Sequence, residues 1–324
     1  MLYPLTFHPI FKERIWGGRN IERLYHKVLP PNIPIGESWE ISDRTEDQSV
    51  VANGALAGKS IHWLMENHRQ ELLGPAQTAS ENRFPLLIKI LDAKEKLSLQ
   101  VHPPADKAAE LGGEAKSEMW YVADATPDAD LFVGLKSGVT RAEFEKHIYD
   151  GTVAKCFHHV PVKKGDAMFL PSGRVHAIGA GNVIFEIQQN SDTTYRVFDW
   201  NRVDASGKPR QLHIEKSLAS INFEDFDPPL AGKKTESHDG LKIRLLANDD
   251  SFSVDLLQAE AGKKIETKTG EMEILGVVEG KLSVHFDNQI LSLSAGQFCL
   301  FPARAMPFEV VAEKAVSFLK IHAG

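Results

Sequence analysis

Cysteine is nearly absent: only Cys156 and Cys299 occur in 324 residues, with no CxxC pair and no framework spacing. That excludes a thiolate zinc finger and fits a reducing compartment. Long apolar runs are absent too. The richest stretch, FPLLIKILDAKEKLSL at 84–99, is interrupted by Lys89 and Asp92, far short of the roughly 20 apolar residues of a membrane-spanning helix, so a soluble chain is expected. The first 18 residues lack the basic start and apolar stretch of a secretory leader, with Pro4, His8 and Pro9 in the way, and the expected location is the cytoplasm. Basic charge is not in surplus. The formal net charge is −7 with both signs interspersed, which leaves no broad basic face for a polyanion; nucleic acid is not the expected partner. A small anionic substrate stays compatible where a few Lys or Arg side chains collect locally.

What is present is an ordinary globular balance, 42% apolar and 25% charged, long enough for one large domain or two smaller ones. Short strand-like runs dominate, among them VVANGALAG, AMFLPSG, VIFEIQQ, TTYRVFDW, LKIRLLA and LSVHF, each close to turn residues, so the fold is expected to be mainly β. Four segments read as helices. In SIHWLMENHRQELLG (60–74), Ile61, Leu64, Met65, His68 and Leu72 form one face between a Ser60 cap and a Gly74 stop. TRAEFEKHIYDG carries a Thr140/Glu143 capping box and a Phe144/Ile148 pair. PADKAAELGG and LHIEKSLASI complete the set. The Pro-, Gly- and charge-rich stretch at 225–240 predicts a boundary near 231, giving units 1–230 and 231–324. GAGNVI after His176 lacks a third glycine and a following helix pattern, so a hairpin turn is predicted rather than a dinucleotide loop.

No short repeat of 20–50 residues is present, but a longer echo is. GDAMFLPSGRVH (165–176) and GQFCLFPARAMP (296–307) share a Gly, five residues, a Pro and four more. A Gly turn, a short apolar strand and a Pro-started turn suit the corners of a double-sheet barrel, and the spacing resembles the second sequence motif of the cupins, implying two jelly-roll β-barrels with a few short helices. The first copy ends at His176. In LSLQVHPP (97–104) alternation turns Gln100 and His102 to one face, and Glu118 follows in AKSEMWYV. Singly, each reads as a surface or satisfied core residue; together on a cupin spacing they form a Gln/His/Glu/His set for one zinc ion per chain, with Fe(II) or Mn(II) able to use the same donors. The second copy has Pro307 in place of His176 and only Glu266, Lys268 and Glu273 upstream, so that barrel is expected to lack a metal and to act as a packing partner or lid.

Longer motifs narrow the resemblance: WGG at 16–18, GESWEIS at 36–42, FPLLIKILDAKEKLSLQVHP at 84–103, KSEMWYV at 116–122 and VHAIGAGNVIFEIQQNSDTTYRVFDW at 175–200. Taken together they resemble the type I mannose-6-phosphate isomerases, in their short bacterial branch. The resemblance implies a cytoplasmic aldose-ketose isomerase that interconverts mannose 6-phosphate and fructose 6-phosphate through an enediol. Its metal ligands would fall on Gln100, His102, Glu118 and His176. Active-site residues would fall on Lys116, Glu186 and Arg196. Arg196 suits an electrostatic clamp better than proton abstraction; Glu186 could take the proton or orient a water, and Lys116 could move one. The bland readings are an exposed Lys116 and a Glu186–Arg196 salt bridge. Ser98 and Arg202 would meet the phosphate, with Lys94 and Lys96 as neighbouring alternatives. Trp16, Trp39 and Trp120 are expected to be core residues, and His158 and His159, on opposite strand faces, are not expected to share an ion. Competing functions are a metal-dependent cupin enzyme on another phosphosugar, an oxygenase, or a non-catalytic sugar-binding bicupin, for which Lys116 and Arg196 would have no purpose. Nothing in the sequence specifies an oligomeric state.

Overall fold

A computed structural model describes residues 1–76, 82–203, 207–267 and 270–324. Among the described residues strands hold 44% and helices 15%, which makes the protein mainly β. In the N-terminal half, a six-stranded sheet runs in the spatial order Ala167–Leu170, Glu118–Ala125, Asn182–Gln189, Leu86–Ala93, Ile35–Ile41, Ile10–Gly18. Its partner sheet runs Phe157–Pro161, Asp130–Leu135, His176–Ile178, Leu99–Val101, Tyr195–Phe198. The C-terminal half repeats the plan with a six-stranded and a four-stranded sheet built from strands between Glu236 and Ala323. Lys268 lies outside the described residues.

Strand Leu86–Ala93 explains how the halves join. All eight of its residues are buried. Alternation sends Leu91 and Ala93 into the core between the two N-terminal sheets, while Leu86, Ile88 and Ile90 face a second core that includes Val254, Ile274 and Phe318 of the C-terminal half. A strand covered on both faces has a nearly continuous apolar sequence, as LLIKILDA does. Lys89 is the exception on the inner face.

The helices form where capping and spacing place them. Ser60 accepts a hydrogen bond from Trp63 N at the start of Ile61–Leu73, which stops at Gly74, and the Thr140/Glu143 capping box opens Arg141–Tyr149. PADKAAELGG yields only Ala105–Ala108, and LHIEKSLASI yields Ile214–Ser220. Two expectations change. VVANGALAG is strand only at Val50–Val51, because the Asn53 amide bonds to Thr6 N and Pro4 O and the chain turns into a 3-10 segment at Gly54–Leu56. GAGNVI is a corner, not a hairpin: His176–Ile178 and Asn182–Gln189 belong to different sheets, and the Asn182 side chain donates to Asp130 O and Gly179 O to hold the chain as it crosses between them.

Candidate metal centre and active site

Strand register assembles the cluster. Gln100 lies directly across from His176 on one side and from Arg196 on the other, so the three side chains share one face of the five-stranded sheet. Glu118 approaches from the opposite sheet, and His102 follows the Gln100 strand. Donor atoms of His102, Glu118 and His176 all lie within 4.8 Å of one another. His102 Nε2 is 3.1 Å from Glu118 Oε1, His176 Nε2 is 3.7 Å from Oε2, and the Gln100 amide is 3.3 Å from His176 Nε2. Two ligands each about 2.1 Å from one ion stand roughly 3 to 3.5 Å apart, so this spacing suits a shared cation.

The ring tautomers point the same way. His102 Nδ1 lies 2.7 Å from Thr193 O and His176 Nδ1 lies 2.9 Å from Arg174 O. A carbonyl only accepts, so each Nδ1 carries the proton and each Nε2 lone pair faces Glu118. All three residues are at most 2% exposed. His102 Nε2 and both Glu118 oxygens are buried without an aligned hydrogen bond, a costly arrangement that a bound cation would relieve. Burial and the nearby Lys116 charge push the His102 imidazole down to about 3, and burial lowers that of His176, so both are neutral donors. Burial alone would raise the Glu118 carboxyl, but Lys116 with the two histidines holds it well below the usual carboxylate range. The donor set fits a divalent metal.

Beside this cluster lies a cavity of about 510 Å³. Of the residues singled out in the sequence, Ser98, Gln100, Lys116, Glu186 and Arg196 line it. Lys116 Nζ is 2.7 Å from Glu118 Oε1, a charge contact that links cavity to cluster. Glu186 and Arg196 are not paired with each other: Glu186 Oε2 faces Lys89 Nζ at 3.2 Å and Oε1 accepts from Trp120 Nε1 at 2.9 Å, whereas Arg196 donates to Ser98 Oγ and Gln211 O. Burial and the Glu118 charge raise the Glu186 carboxyl against the pull of Lys89 and Lys116. Arg202 is not among the lining residues. It binds Asp199 and Lys96 O, and Asp199 in turn accepts two hydrogen bonds from Arg210, which does line the cavity.

Sequence reasoning passed over Lys89, Asp192, Arg210, Glu37 and Arg14, all in the cavity wall. Lys89 had a signal, a lone charge in an apolar strand on the face opposite Ile88 and Ile90. Arg210 had none, since only the fold returns its loop to Asp199. Trp39 and Trp120 are buried as expected, but their indole N–H groups donate to Glu37 and Glu186. Trp16 is buried at the cavity wall. His158 and His159 pair with Asp227 and Asp130, away from the site. In the second barrel, Glu273 lies near Lys320 and His322.

The chain is similar to known proteins over most of its length. Residues 5–136 match the model of the phosphomannose isomerase type I catalytic domain. The chain is 40% identical over 256 residues to the probable mannose-6-phosphate isomerase GmuF of Bacillus subtilis, covering 78% of this chain and 79% of that protein. It is 36% identical over 304 residues to mannose-6-phosphate isomerase ManA of the same organism, with 92% and 93% covered. A crystal structure of the mannose 6-phosphate isomerase from Bacillus subtilis superposes with a TM-score of 0.88 at 32% identity, covering 98% of this chain and 99% of that one.

Proposed function

The chain belongs to the type I phosphomannose isomerases, and from that premise we propose that it interconverts mannose 6-phosphate and fructose 6-phosphate in the cavity beside His102, Glu118 and His176. The observation that carries the reading is a buried three-residue cluster, with Gln100 beside it, opening through Lys116 onto a cavity that Arg196 and Arg210 line. Gln100, His102, Glu118 and His176 would hold one zinc ion. When bound, such a cation supplies Lewis acidity toward the sugar oxygens.

The protein's own groups do the rest. Arg210 and Ser98 receive the phosphate, with Arg202 steadying Asp199 behind Arg210. Glu186 takes the proton from C2 of the opened aldose, the C–H electron pair becomes the C1=C2 bond of an enediol, and the C1=O π pair moves onto O1, which takes a proton. The same carboxyl returns the proton to C1, while Lys116 passes a hydroxyl proton from O2 to O1, so charge and protons balance. The raised Glu186 carboxyl suits a base that must also give its proton back. Arg196, beside Gln100 in the strand register, faces the oxygen charge that develops in between. We place this chemistry in residues 1–230 and give residues 231–324 a supporting role, a division favoured by their separate pairs of sheets.

The test is a coupled assay for fructose 6-phosphate formed from mannose 6-phosphate, before chelation, after it, and after zinc is restored. Turnover is expected to vanish and return. Full activity in the chelated, metal-free protein would remove the metal from the proposal, and no turnover in zinc-loaded protein would redirect it to another phosphosugar.

A further inference from the structure

In the cavity wall, the edge strand Ile10–Gly18 breaks step with its neighbour. Glu13 and Gly18 both pair with Ile35, so residues 14–17 bulge out of the ladder. Glycines let the bulge lie flat: a Cβ on Gly36 would stand 2.6 Å from Arg14 Cβ, and one on Gly17 only 2.4 Å from Gly36 N. The bulge delivers Arg14 to Glu37. Arg14 Nε donates to Glu37 Oε1 at 2.8 Å and Nη2 approaches Oε2 at 3.3 Å, while Trp39 Nε1 donates to Oε2 at 2.6 Å.

Glu37 has a second cation within its field. Lys89 is 4% exposed and lies over the Trp39 ring, 5.1 Å from its centroid, with Glu186 at 3.2 Å. Burial opposes both charges, yet Lys89 and Arg14 together keep the Glu37 carboxyl lowered, and Glu186 and Glu37 together keep the Lys89 ammonium raised. Lys12, across from Glu37 in the strand pairing, is committed to Asp47. Two buried carboxylates therefore share the field of one buried ammonium, and Arg14 meets Glu37 in a two-pronged grip that a point charge cannot copy.

We propose that Arg14 is a positioning residue: by occupying Glu37 it leaves Lys89 to Glu186, and so fixes the carboxyl that moves the proton. The proposal rests on the assignment of Glu186 as the proton-transfer group. Without Arg14, a buried Glu37 carboxylate keeps the Trp39 N–H but has no neighbouring cation bonded to it, and draws Lys89 away from Glu186. A merely structural ion pair would show both loss and rescue in stability and leave kcat of the folded enzyme unchanged. The positioning role predicts loss and recovery in kcat itself.

The experiment measures kcat and KM for mannose 6-phosphate in zinc-loaded Arg14→Ala, Glu37→Gln, the double variant and Glu186→Gln. Arg14→Ala is expected to lose about tenfold or more in kcat, as a displaced catalytic group does, with inhibition by inorganic phosphate unchanged. The double variant is expected to recover most of that loss. Wild-type kcat in Arg14→Ala, or a double variant slower than Arg14→Ala, overturns the proposal. Full activity in Glu186→Gln overturns the assignment beneath it instead. If Arg14→Ala does not fold, Arg14→Met keeps the side-chain stem and gives the same comparison.

Discussion

Residues in this site act through what they leave free. His102 and His176 each give the Nδ1 proton to a backbone carbonyl, so that Nε2 is the atom offered to a metal. Arg196 spends two donors on Ser98 Oγ and Gln211 O and sits beside Gln100, whereas Arg210 is held through Asp199. Burial and the neighbouring Arg210 charge lower the Arg196 guanidinium from its ordinary value, and under the proposed mechanism it is the cation assigned to the charge that appears only in the transition state. Arg196→Ala, folded and metal-loaded, is expected to lose about 10²-fold in kcat. Arg210→Ala is expected to raise KM about tenfold with kcat nearly kept, as the loss of a charge-assisted hydrogen bond does. Steady-state kinetics on the pair checks both, and the opposite pattern would exchange their roles.

Strands and corners set the directions in which those residues point. One row across the six-stranded sheet, Trp120, Glu186, Lys89 and Trp39, is fixed by register alone, and period-2 alternation turns all four toward the cavity side. The corner after His176 controls the facing sheet. Gly181 has φ +83°, and a Cβ there would stand 2.2 Å from Thr126 Oγ1. Gly181→Ala is therefore expected to cost roughly 1–3 kcal/mol through strain and overpacking, and to weaken metal retention along with stability because His176 begins the strand before that corner. Denaturant titration with metal analysis checks this; an unchanged midpoint would mean the corner relaxes without cost.

The whole molecule is one packing unit at its middle. The outer face of the first barrel's six-stranded sheet shares a core with the second barrel, Phe185 lies 5.5 Å from Phe298 between ring centroids, and Leu5 pairs with Leu300 across the halves. Phe298→Ala, although it lies in the second barrel, is expected to cost about 3–5 kcal/mol and to lower the temperature at which activity is lost together with that at which β-structure melts. Calorimetry alongside an activity-loss curve checks this, and two separate transitions would show that the barrels unfold independently. By itself the sequence determined the mainly β class and the capped helices, and nominated four side chains as candidate ligands, because strand alternation, turn residues, capping boxes and the Gly–Pro echo are local patterns written in neighbouring positions. Only the tertiary structure decided that Arg210 rather than Arg202 reaches the cavity, that GAGNVI is a corner between sheets, and that Arg14, Glu37 and Lys89 meet. Each depends on register and chain return between segments up to tens of residues apart, and a buried charge carries no mark in the sequence of which partner will neutralise it.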